Sequence, residues 1–391
     1  MFAATDWTFN IPLLTFSIAV ACLAYVYLGY PLLLAVVASL RRRPLLNREY
    51  VPSVSVLIAA YNEEATIHRK IHETLALDYP PEKLEIVVVS DGSTDGTDEI
   101  VNSLVGDRVR LLRVEGRRGK TTAQNEGVAI CRGDVIVFSD ATSIYHPQSV
   151  RLMASCYADD RVGAVSGRYR YFDPGGKSPT GAGSVAFWNL ENLIKFFQSR
   201  ISTLTGCSGC IYSVRRDRYV PLPADACSDL VEPLQIVRAG YRVRFESRAI
   251  AYEETTVTTR QEWKMRVRVA TRGMRGVLSV RELLNPRIHP WPAFQLISHK
   301  VLRWLSPLFL IVVFFSTAML AENPFFRILF AAQAMFYCWA LGSLILPLHE
   351  RFRLLAIPLY FCTLNAAFMA GLVGLIRGEK HTIWQTVRNT R

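Results

Sequence analysis

The sequence lacks features that would assign it to several other classes of protein. It has no internal repeat and no low-complexity run, which argues against a solenoid or a fibrous protein. Its eight cysteines are scattered, so we expect most of them to be reduced in a cytoplasmic domain. No apolar segment between about residues 50 and 290 is long enough to span a membrane. No clear small-residue cleavage site follows the apolar N-terminal stretch, which argues against a cleaved signal peptide.

Long apolar stretches lie towards both ends of the 391 residues. The first, at about 11–40, exceeds the roughly 20 residues that a spanning helix needs. Arg41-Arg42-Arg43 follows it, and such positive flanks stay in the cytoplasm. Three further stretches lie at about 304–321, 325–347 and 354–376. We therefore expect a multi-pass protein of the cell (inner) membrane, with its central domain in the cytoplasm.

The number of apolar stretches leaves the side of the C-terminal tail open. Three C-terminal spans would carry residues 378–391 outside. That tail is basic, however, and basic segments prefer the inside. The alternative is that one of the three stretches is re-entrant or lies in the membrane interface.

Strand-like and helix-like segments alternate in the central domain. The strand-like segments lie at 54–60, 84–89, 109–114 and 134–138, and each ends in a polar cluster. This alternation predicts an α/β fold with a mostly parallel sheet. The carboxyl ends of parallel strands meet at one edge of the sheet, where such folds bind their ligands.

The polar clusters contain side chains that suit a nucleoside, a diphosphate and a cation. Taken singly, each has a simple structural explanation, such as a core aromatic, a solvated lysine, a turn or a helix cap. Their recurrence at four successive strand ends favours a binding site instead. The candidates are Tyr61, Glu63, Asp91, Asp95, Lys120 and Asp140, with Arg117 and Arg118 near the lysine.

At these residues the chain resembles the integral-membrane family 2 glycosyltransferases, which have the GT-A fold and include cellulose, hyaluronan and poly-N-acetylglucosamine synthases. The likeness covers about residues 50–280 and implies a nucleotide sugar as donor, with a UDP-sugar expected. The matching motifs are Ala60-Tyr61-Asn62-Glu63-Glu64, Ser90-Asp91-Gly92-Ser93-Thr94-Asp95, Gly119-Lys120-Thr121-Thr122-Ala123-Gln124-Asn125 and Gly133-Asp134-Val135-Ile136-Val137-Phe138-Ser139-Asp140.

The resemblance also implies roles for individual residues. Tyr61, Glu63, Asp91 and Asp95 would hold the nucleoside, and Lys120 would lie near the diphosphate. Asp140 takes the first position of the family's D-x-D motif and would bind Mg²⁺ or Mn²⁺. The third position is Thr142 here, so the cation would take its other ligands from the diphosphate and water.

Two later segments extend the resemblance. Gly206, in the small-residue segment at 205–216, would lie beside the donor sugar. Asp229 aligns with the family's catalytic base, although Ser228 precedes it where the family usually has Glu. The simpler explanation is that Asp229 caps a helix. Cys207 and Cys210 form a C-x-x-C without a second ligand pair, which argues against a zinc site.

Residues 260–275 predict a basic amphipathic helix. It would lie on the inner membrane surface, or it would present one or two arginines to the leaving diphosphate, for which Arg268 and Arg272 are the candidates. The Q-x-x-R-W motif of processive relatives is absent, so the sequence leaves processivity open. The apolar face comprises Trp263, Val267, Ala270, Met274 and Val277, and the basic face Lys264, Arg268, Arg272 and Arg275.

These observations divide the chain into an anchor (1–43), a GT-A domain (50–258), interface helices (259–300), a transmembrane bundle (301–377) and a basic tail (378–391). The expected function is inverting transfer from a nucleotide sugar in cell-surface polysaccharide synthesis. A single transfer to a polyprenyl-phosphate-linked or ceramide-like acceptor is one alternative. A non-catalytic membrane scaffold or nucleotide-sugar-binding partner is another. The expected partners are the donor, a saccharide or lipid-linked acceptor and the membrane, but no nucleic acid.

Overall fold

The computed structural model describes residues 7–40, 49–172, 181–254, 259–345 and 356–380. Within them, the polar centre of the chain forms an eight-stranded sheet covered by helices, and the apolar ends form long helices. The predicted α/β domain flanked by apolar helices is therefore confirmed.

One mixed sheet organises the central domain. Its strands lie in the spatial order β3-β2-β1-β4-β7-β6-β8-β5. The first four in this order run parallel, β7 is antiparallel to both of its neighbours, and β6 runs parallel to β8. The strands are β1 (Val54–Ala60), β2 (Leu84–Asp91), β3 (Val109–Val114), β4 (Val135–Asp140), β5 (Ile144–Tyr145), β6 (Val162–Phe172), β7 (Ile211–Arg215) and β8 (Arg242–Glu254).

The apolar runs become central strands because both faces of the sheet are covered. Every residue of β1 is buried, and alternate side chains enter different cores. Val56 and Ile58 pack in the core on one face, whereas Leu57 packs in the core on the other. The covering helices include α3 (Ile67–Leu75), α4 (Thr97–Asn102), α5 (Lys120–Ile130), α6 (Ser149–Ser155), α7 (Gly181–Ile201) and α8 (Ser228–Arg238).

Apolar helices flank this domain. At the N-terminus, α1 (Trp7–Ala24) continues through one π-helical turn into α2 (Tyr30–Leu40). The C-terminal part contains α9 (Thr259–Ser279), α10 (Pro290–Leu296), α11 (Leu302–Trp304), α12 (Ser306–Met319), α13 (Pro324–Ile345) and α14 (Ala356–Ile376). In the described residues, three helices are long and apolar enough to cross a membrane. A fourth is added if α10–α11 and α12, which are bent by 53°, form one span.

The predicted basic amphipathic helix is present as α9, but much of its apolar face packs on protein. Ala270 and Met274 lie in a core cluster with residues of α14, and Val277 enters the core of the central domain. A Cβ on Gly371 of α14 would come within 2.8 Å of the Ala270 Cβ, so the two helices touch closely. These three side chains are therefore not available to a lipid surface.

Candidate active site

The loops that follow β1 and β2 are fastened to each other. Asn62 adopts a left-handed conformation (φ 54°), which Asn tolerates better than most residues. Its side-chain oxygen accepts a hydrogen bond from the Thr94 amide at 2.8 Å, and the Glu63 amide donates to Thr97 Oγ1 at 2.8 Å. The first two sequence motifs therefore form one rigid rim beside the strand ends.

Asp95 and Tyr61 have partners within this rim. The Asp95 carboxylate accepts hydrogen bonds from the Thr97 amide at 3.1 Å and from its hydroxyl at 2.5 Å, at the start of α4. This is a local turn in which a side chain accepts from the backbone two residues on, one residue before Gly96, the N-cap of α4. The Arg117 guanidinium lies 3.8 Å from the centre of the Tyr61 ring, in a cation–π contact. One face of that aromatic ring is thus covered by a cation.

Asp91 lies at the end of β2 and holds the loop that leads to α5. Its carboxylate is fully buried and accepts hydrogen bonds from the Arg118 and Gly119 amides at 2.8 and 2.9 Å. Burial raises the pKa of Asp91, while these two hydrogen bonds oppose the rise. Gly92 has φ +70° and lies so close to the same loop that a Cβ would be 2.6 Å from the Gly116 carbonyl oxygen.

Lys120 and Asp140 form an ion pair at the edge of the sheet. Lys120 begins α5, and Asp140 ends β4. Burial alone would lower the pKa of Lys120, but the Asp140 carboxylate outweighs that effect and raises it, with a further contribution from Asp229. The structure thus brings together the lysine predicted to be near the diphosphate, the proposed metal ligand and the proposed base.

Two further carboxylates face this pair. Burial raises the pKa of Glu63 to about 7, and the Asp140 charge adds to the rise, although a hydrogen bond from Thr66 opposes it. Burial also raises the pKa of Glu253 at the end of β8, with Asp140 the next largest cause. Thr142 Oγ1 donates to Glu253 Oε1 at 3.0 Å. A cation at this place would reduce the repulsion among these carboxylates.

The donor set suits a divalent cation only in part. Hard oxygen ligands are present, but no three His, Cys, Asp or Glu side chains in the described ranges form a metal-binding group. Mg²⁺ usually keeps several waters and binds proteins through one or two carboxylates together with substrate phosphates. The residues therefore fit a cation that shares its ligands with a bound diphosphate.

Asp229 lies in the first turn of α8, where a carboxylate complements the helix dipole. The Cys227 thiol donates to Asp229 Oδ1 at 3.0 Å. A Cβ on Gly209 would come within 2.9 Å of Oδ2, so this position needs a residue without a side chain. Gly206 lies near the next residue, with its Cβ position 3.3 Å from Leu230 Cδ1. The small-residue segment therefore packs around the predicted base.

Two arginines of α9 reach the same region. Arg272 donates to the Asp225 and Ala226 carbonyl oxygens and, at 3.1 Å, to Thr121 Oγ1. Burial lowers the pKa of Arg268, and the Arg272 charge lowers it further, while Asp140 is among the groups that attract it. Arg268 is thus a partly desolvated cation on which the Asp140 charge acts, and Arg272 fixes the loop before Asp229.

Sequence motifs did not indicate two polar residues around the site. Glu253 follows no recognised pattern, and Lys195 lies on α7, outside every matched motif. Lys195 is buried and donates to Ser208 Oγ at 2.7 Å, behind the small-residue segment. The one related signal was Thr142 at the third position of D-x-D, which showed that the motif lacks a carboxylate but not that Glu253 lies beside it. Cys207 and Cys210 are both buried free thiols.

Comparison with known proteins identifies the central domain. The sequence profile described as "Glycosyl transferase family 2" matches residues 55–219. This segment is a glycosyl transferase family 2 domain. The prediction made from the strand-end motifs is therefore confirmed.

Relatives of the family 2 domain include named glycosyltransferases. The probable glycosyltransferase YdaM of Bacillus subtilis (strain 168) is 30% identical over 244 residues, which cover 57% of this chain and 56% of that protein. The poly-beta-1,6-N-acetyl-D-glucosamine synthase of Staphylococcus aureus (strain COL) is 28% identical over 244 residues, covering 60% of this chain and 58% of that protein. The chain thus spans little more than half the length of either relative.

A solved structure confirms the fold well beyond the matched segment. The mannosyltransferase PcManGT from Pyrobaculum calidifontis, solved with GDP-Man and Mn²⁺, superposes with a TM-score of 0.70 at 23% identity. The superposition covers 94% of this chain and 100% of that chain. The GT-A arrangement and its flanking helices are therefore shared between the two proteins.

A buried carboxyl three residues after Asp229 generates a test of the pH dependence of stability. Burial raises the pKa of Glu232 from 4.5 to about 8, and the Val220 amide opposes the rise. Stability from this group is complete below pH 4.5 and is lost as the pH rises from 4.5 through about 8, because in this range the unfolded state has released the proton that the folded state still holds.

Glu232→Gln keeps the neutral shape of this side chain, so its thermal unfolding midpoint should fall less between pH 5 and 9 than the wild-type midpoint does. Differential scanning fluorimetry of the detergent-purified chain measures both curves. Glu82→Gln on the exposed surface is the control and should follow the wild type. Parallel curves for the wild type and Glu232→Gln would contradict the shifted pKa.

Proposed function

We propose that the chain transfers a sugar from a nucleotide sugar to a hydroxyl group, with inversion at the anomeric carbon. One observation carries the proposal. The Lys120 ammonium contacts Asp140, and the Asp229 charge also acts on it. The lysine proposed for the diphosphate, the aspartate proposed for the metal and the proposed base therefore belong to one site. This site is at the strand ends of a family 2 domain, where such folds bind ligands.

Asp229 is the proposed base. Inversion needs one group to take the proton from the acceptor hydroxyl while that oxygen attacks the anomeric carbon. A carboxylate bounded by the Cys227 thiol and by Gly209 has a defined orientation, and the absence of a Cβ at Gly209 leaves room beside it. A bound acceptor hydroxyl within hydrogen-bond reach of the other carboxylate oxygen would lose its proton there.

The leaving nucleoside diphosphate is held by positive charge. Lys120 and Arg268 provide fixed cations in a partly buried site, where they stabilise developing negative charge more strongly than in water. Asp140 would hold a divalent cation that helps to neutralise the diphosphate, and Mg²⁺ and Mn²⁺ both suit oxygen ligands. Arg272 acts indirectly, because it keeps the carbonyl groups before Asp229 in place.

The nucleoside lies at the rim formed after β1 and β2. Tyr61 and Glu63 are the proposed contacts to the base and ribose. Asp95 supports that rim through its hydrogen bond from the Thr97 amide, and Asp91 fastens the rim to the loop before α5. The similar mannosyltransferase was solved with GDP-Man, so both a uridine and a guanosine donor are candidates here. In this proposal the rim selects between them, and donor binding can be measured directly.

The acceptor is a growing saccharide in the first proposal, as for the related poly-beta-1,6-N-acetyl-D-glucosamine synthase. A single transfer to a lipid-linked acceptor is the second candidate, and one observation favours it. The helix α9 brings Arg268 to the site, but its tryptophan, Trp263, lies five residues earlier and is 36% exposed. The Q-x-x-R-W pairing of processive relatives therefore has no counterpart on this helix.

The membrane arrangement that we propose returns the chain to the side of the family 2 domain. Gln333 Nε2 of α13 donates to Thr317 Oγ1 of α12 at 3.0 Å, and these helices form an antiparallel hairpin. The next helix, α14, meets α7 near one end, where a Cβ on Gly183 would lie 2.4 Å from the Tyr360 ring. Just beyond its other end, the Glu379 carbonyl accepts from Arg275 at 3.4 Å. Because both ends of α14 lie against helices that pack on the family 2 domain, these contacts support an α14 that lies in the membrane interface and a tail on the cytoplasmic side.

Asp229→Asn tests the proposed base. The amide keeps the shape but cannot accept the proton, so turnover should fall by about 10²- to 10⁴-fold, with little change in donor affinity. Nucleoside diphosphate release measures turnover, and calorimetry measures binding. Asp217→Asn, on the exposed surface, is the control and should keep both. Surviving turnover in Asp229→Asn would exclude Asp229 as the base. Donor binding without turnover by the wild type would favour the non-catalytic scaffold.

The position of the tail tests the membrane arrangement. An epitope fused after residue 391 should be digested by protease in inverted inner-membrane vesicles and be protected in spheroplasts, because α14 ends beside the family 2 domain. An epitope fused before residue 1 is the control, with the opposite expectation. Digestion of the C-terminal epitope in spheroplasts would contradict an interfacial α14.

Product length separates the two acceptors. Proteoliposomes that hold the full chain are incubated with one labelled donor, and the products are resolved by size. Chain growth predicts a ladder, and single transfer predicts one product that partitions with lipid. A ladder would exclude the second candidate, and a single lipid-linked band would exclude the first.

A further inference from the structure

The third position of the D-x-D motif has an unexpected neighbour. Thr142 occupies that position, and its hydroxyl donates a 3.0 Å hydrogen bond to Glu253 Oε1. The two residues are 111 positions apart in the chain. The Glu253 carboxylate, at the end of β8, thus lies beside the position where the D-x-D motif would have its second aspartate.

The position of Glu253 is fixed by the sheet and by a second hydrogen bond. Ile144 and Tyr145 of β5 pair with Tyr252 and Ala251 of β8, which brings the loop after β4 beside the end of β8. The Tyr169 hydroxyl of β6 donates to Glu253 Oε2 at 2.6 Å. Each carboxylate oxygen therefore has one neutral donor, and the carboxylate is held without a paired cation among the contacts in the described ranges.

Glu253 also shares the electrostatic environment of Asp140. The Asp140 charge acts on Glu253, and the Lys120 charge acts on it in the opposite sense. A side chain that served only to join β8 to its neighbours would not need a charge within reach of this ion pair, because a neutral Gln could bond to both hydroxyl groups, accepting from one through its oxygen and donating to the other through its amide nitrogen.

We propose that Glu253 supplies the second carboxylate of the divalent-cation site, in place of the acidic residue that Thr142 replaces. This inference rests on the proposed function, in which Asp140 holds a cation on the donor diphosphate. Thr142 then has a positioning role, since its hydroxyl orients Glu253. The site would be assembled from β4 and β8 rather than from one three-residue motif.

The experiment measures Mn²⁺ binding directly. The full chain, purified in detergent, is titrated with Mn²⁺ in the presence of UDP and separately of GDP, and free Mn²⁺ is counted by electron paramagnetic resonance. Glu253→Gln should weaken Mn²⁺ binding by at least about tenfold. Loss of a residue that only hydrogen-bonds to a metal ligand already costs about that much, and loss of a ligand should cost no less. Glu254→Gln, one residue further along the strand, is the matched control and should stay within about twofold of the wild type.

A second variant shows whether the lost carboxylate itself matters. Thr142→Asp in the Glu253→Gln background places a carboxylate at the third position of the motif and should recover most of the lost affinity. The thermal unfolding midpoint of each variant is measured alongside. Glu253→Gln should keep it, because the amide oxygen still accepts a hydrogen bond.

The outcomes separate this inference from the proposed function. Mn²⁺ affinity that falls in Asp140→Asn but stays at the wild-type value in Glu253→Gln would overturn the role of Glu253 alone. A failure of Thr142→Asp to recover affinity in a folded Glu253→Gln background would also overturn it. Absence of Mn²⁺ binding by the wild type with either nucleotide would remove the cation from the proposed function, and this inference would fall with it.

Discussion

The ion pair between Lys120 and Asp140 is the interaction on which the site depends. Each partner is partly buried, so neither charge is stable there without compensation. The pair joins the start of α5 to the end of β4, and both elements are positioned from elsewhere. The buried Asp91 carboxylate holds the loop before α5, and pairing with β1 places the end of β4. A donor diphosphate would bring negative charge to Lys120, and its divalent cation would bring positive charge to Asp140.

The same site is tied to the apolar part of the chain through α9. Arg272 contacts the carbonyl groups before Asp229, while Ala270, two residues earlier, packs against Gly371 of α14. Trp304 of α11 lies near Gly273, where a Cβ would be 3.2 Å from its ring. A shift of α9 would therefore alter the loop of the proposed base and the helix packing together. This coupling supports the proposed lipid-linked acceptor, which would be held at the membrane surface.

The parts of the fold that depend on local pattern were predictable from the sequence. The bounds of β1 agree with the apolar run at 54–60, because a central strand covered on both faces carries continuous apolar residues. The predicted bounds of β3, at 109–114, also agree, although β3 is an edge strand that carries Arg110 and Arg113. β2 begins at the predicted residue 84 but runs to Asp91, two residues further than predicted and into the motif at 90–95. Which partner each acidic side chain takes depends on other loops. That is why Asp95 accepts a hydrogen bond from the Glu64 amide of the neighbouring loop, and why Asp91 is buried under the loop before α5.

The parts that depend on distant contacts were not predictable. The apolar face of α9 has the same spacing whether it covers lipid or another helix, and only the position of α14 shows that Ala270 and Met274 pack on protein. Glu253 carried no motif, since its relation to Thr142 arises from the pairing of β5 with β8. In each case the sequence contained the residue but not its neighbour.

The central claim is that this family 2 domain cleaves a nucleotide sugar at the ends of its parallel strands. The most direct measurement is nucleoside diphosphate release by the purified chain in proteoliposomes, over a panel of UDP- and GDP-sugars, with Mg²⁺ or Mn²⁺ and with a chelator. The account predicts that at least one donor is consumed and that the chelator slows its consumption. Binding of donors without consumption of any, in the presence of lipid and saccharide acceptors, would contradict it.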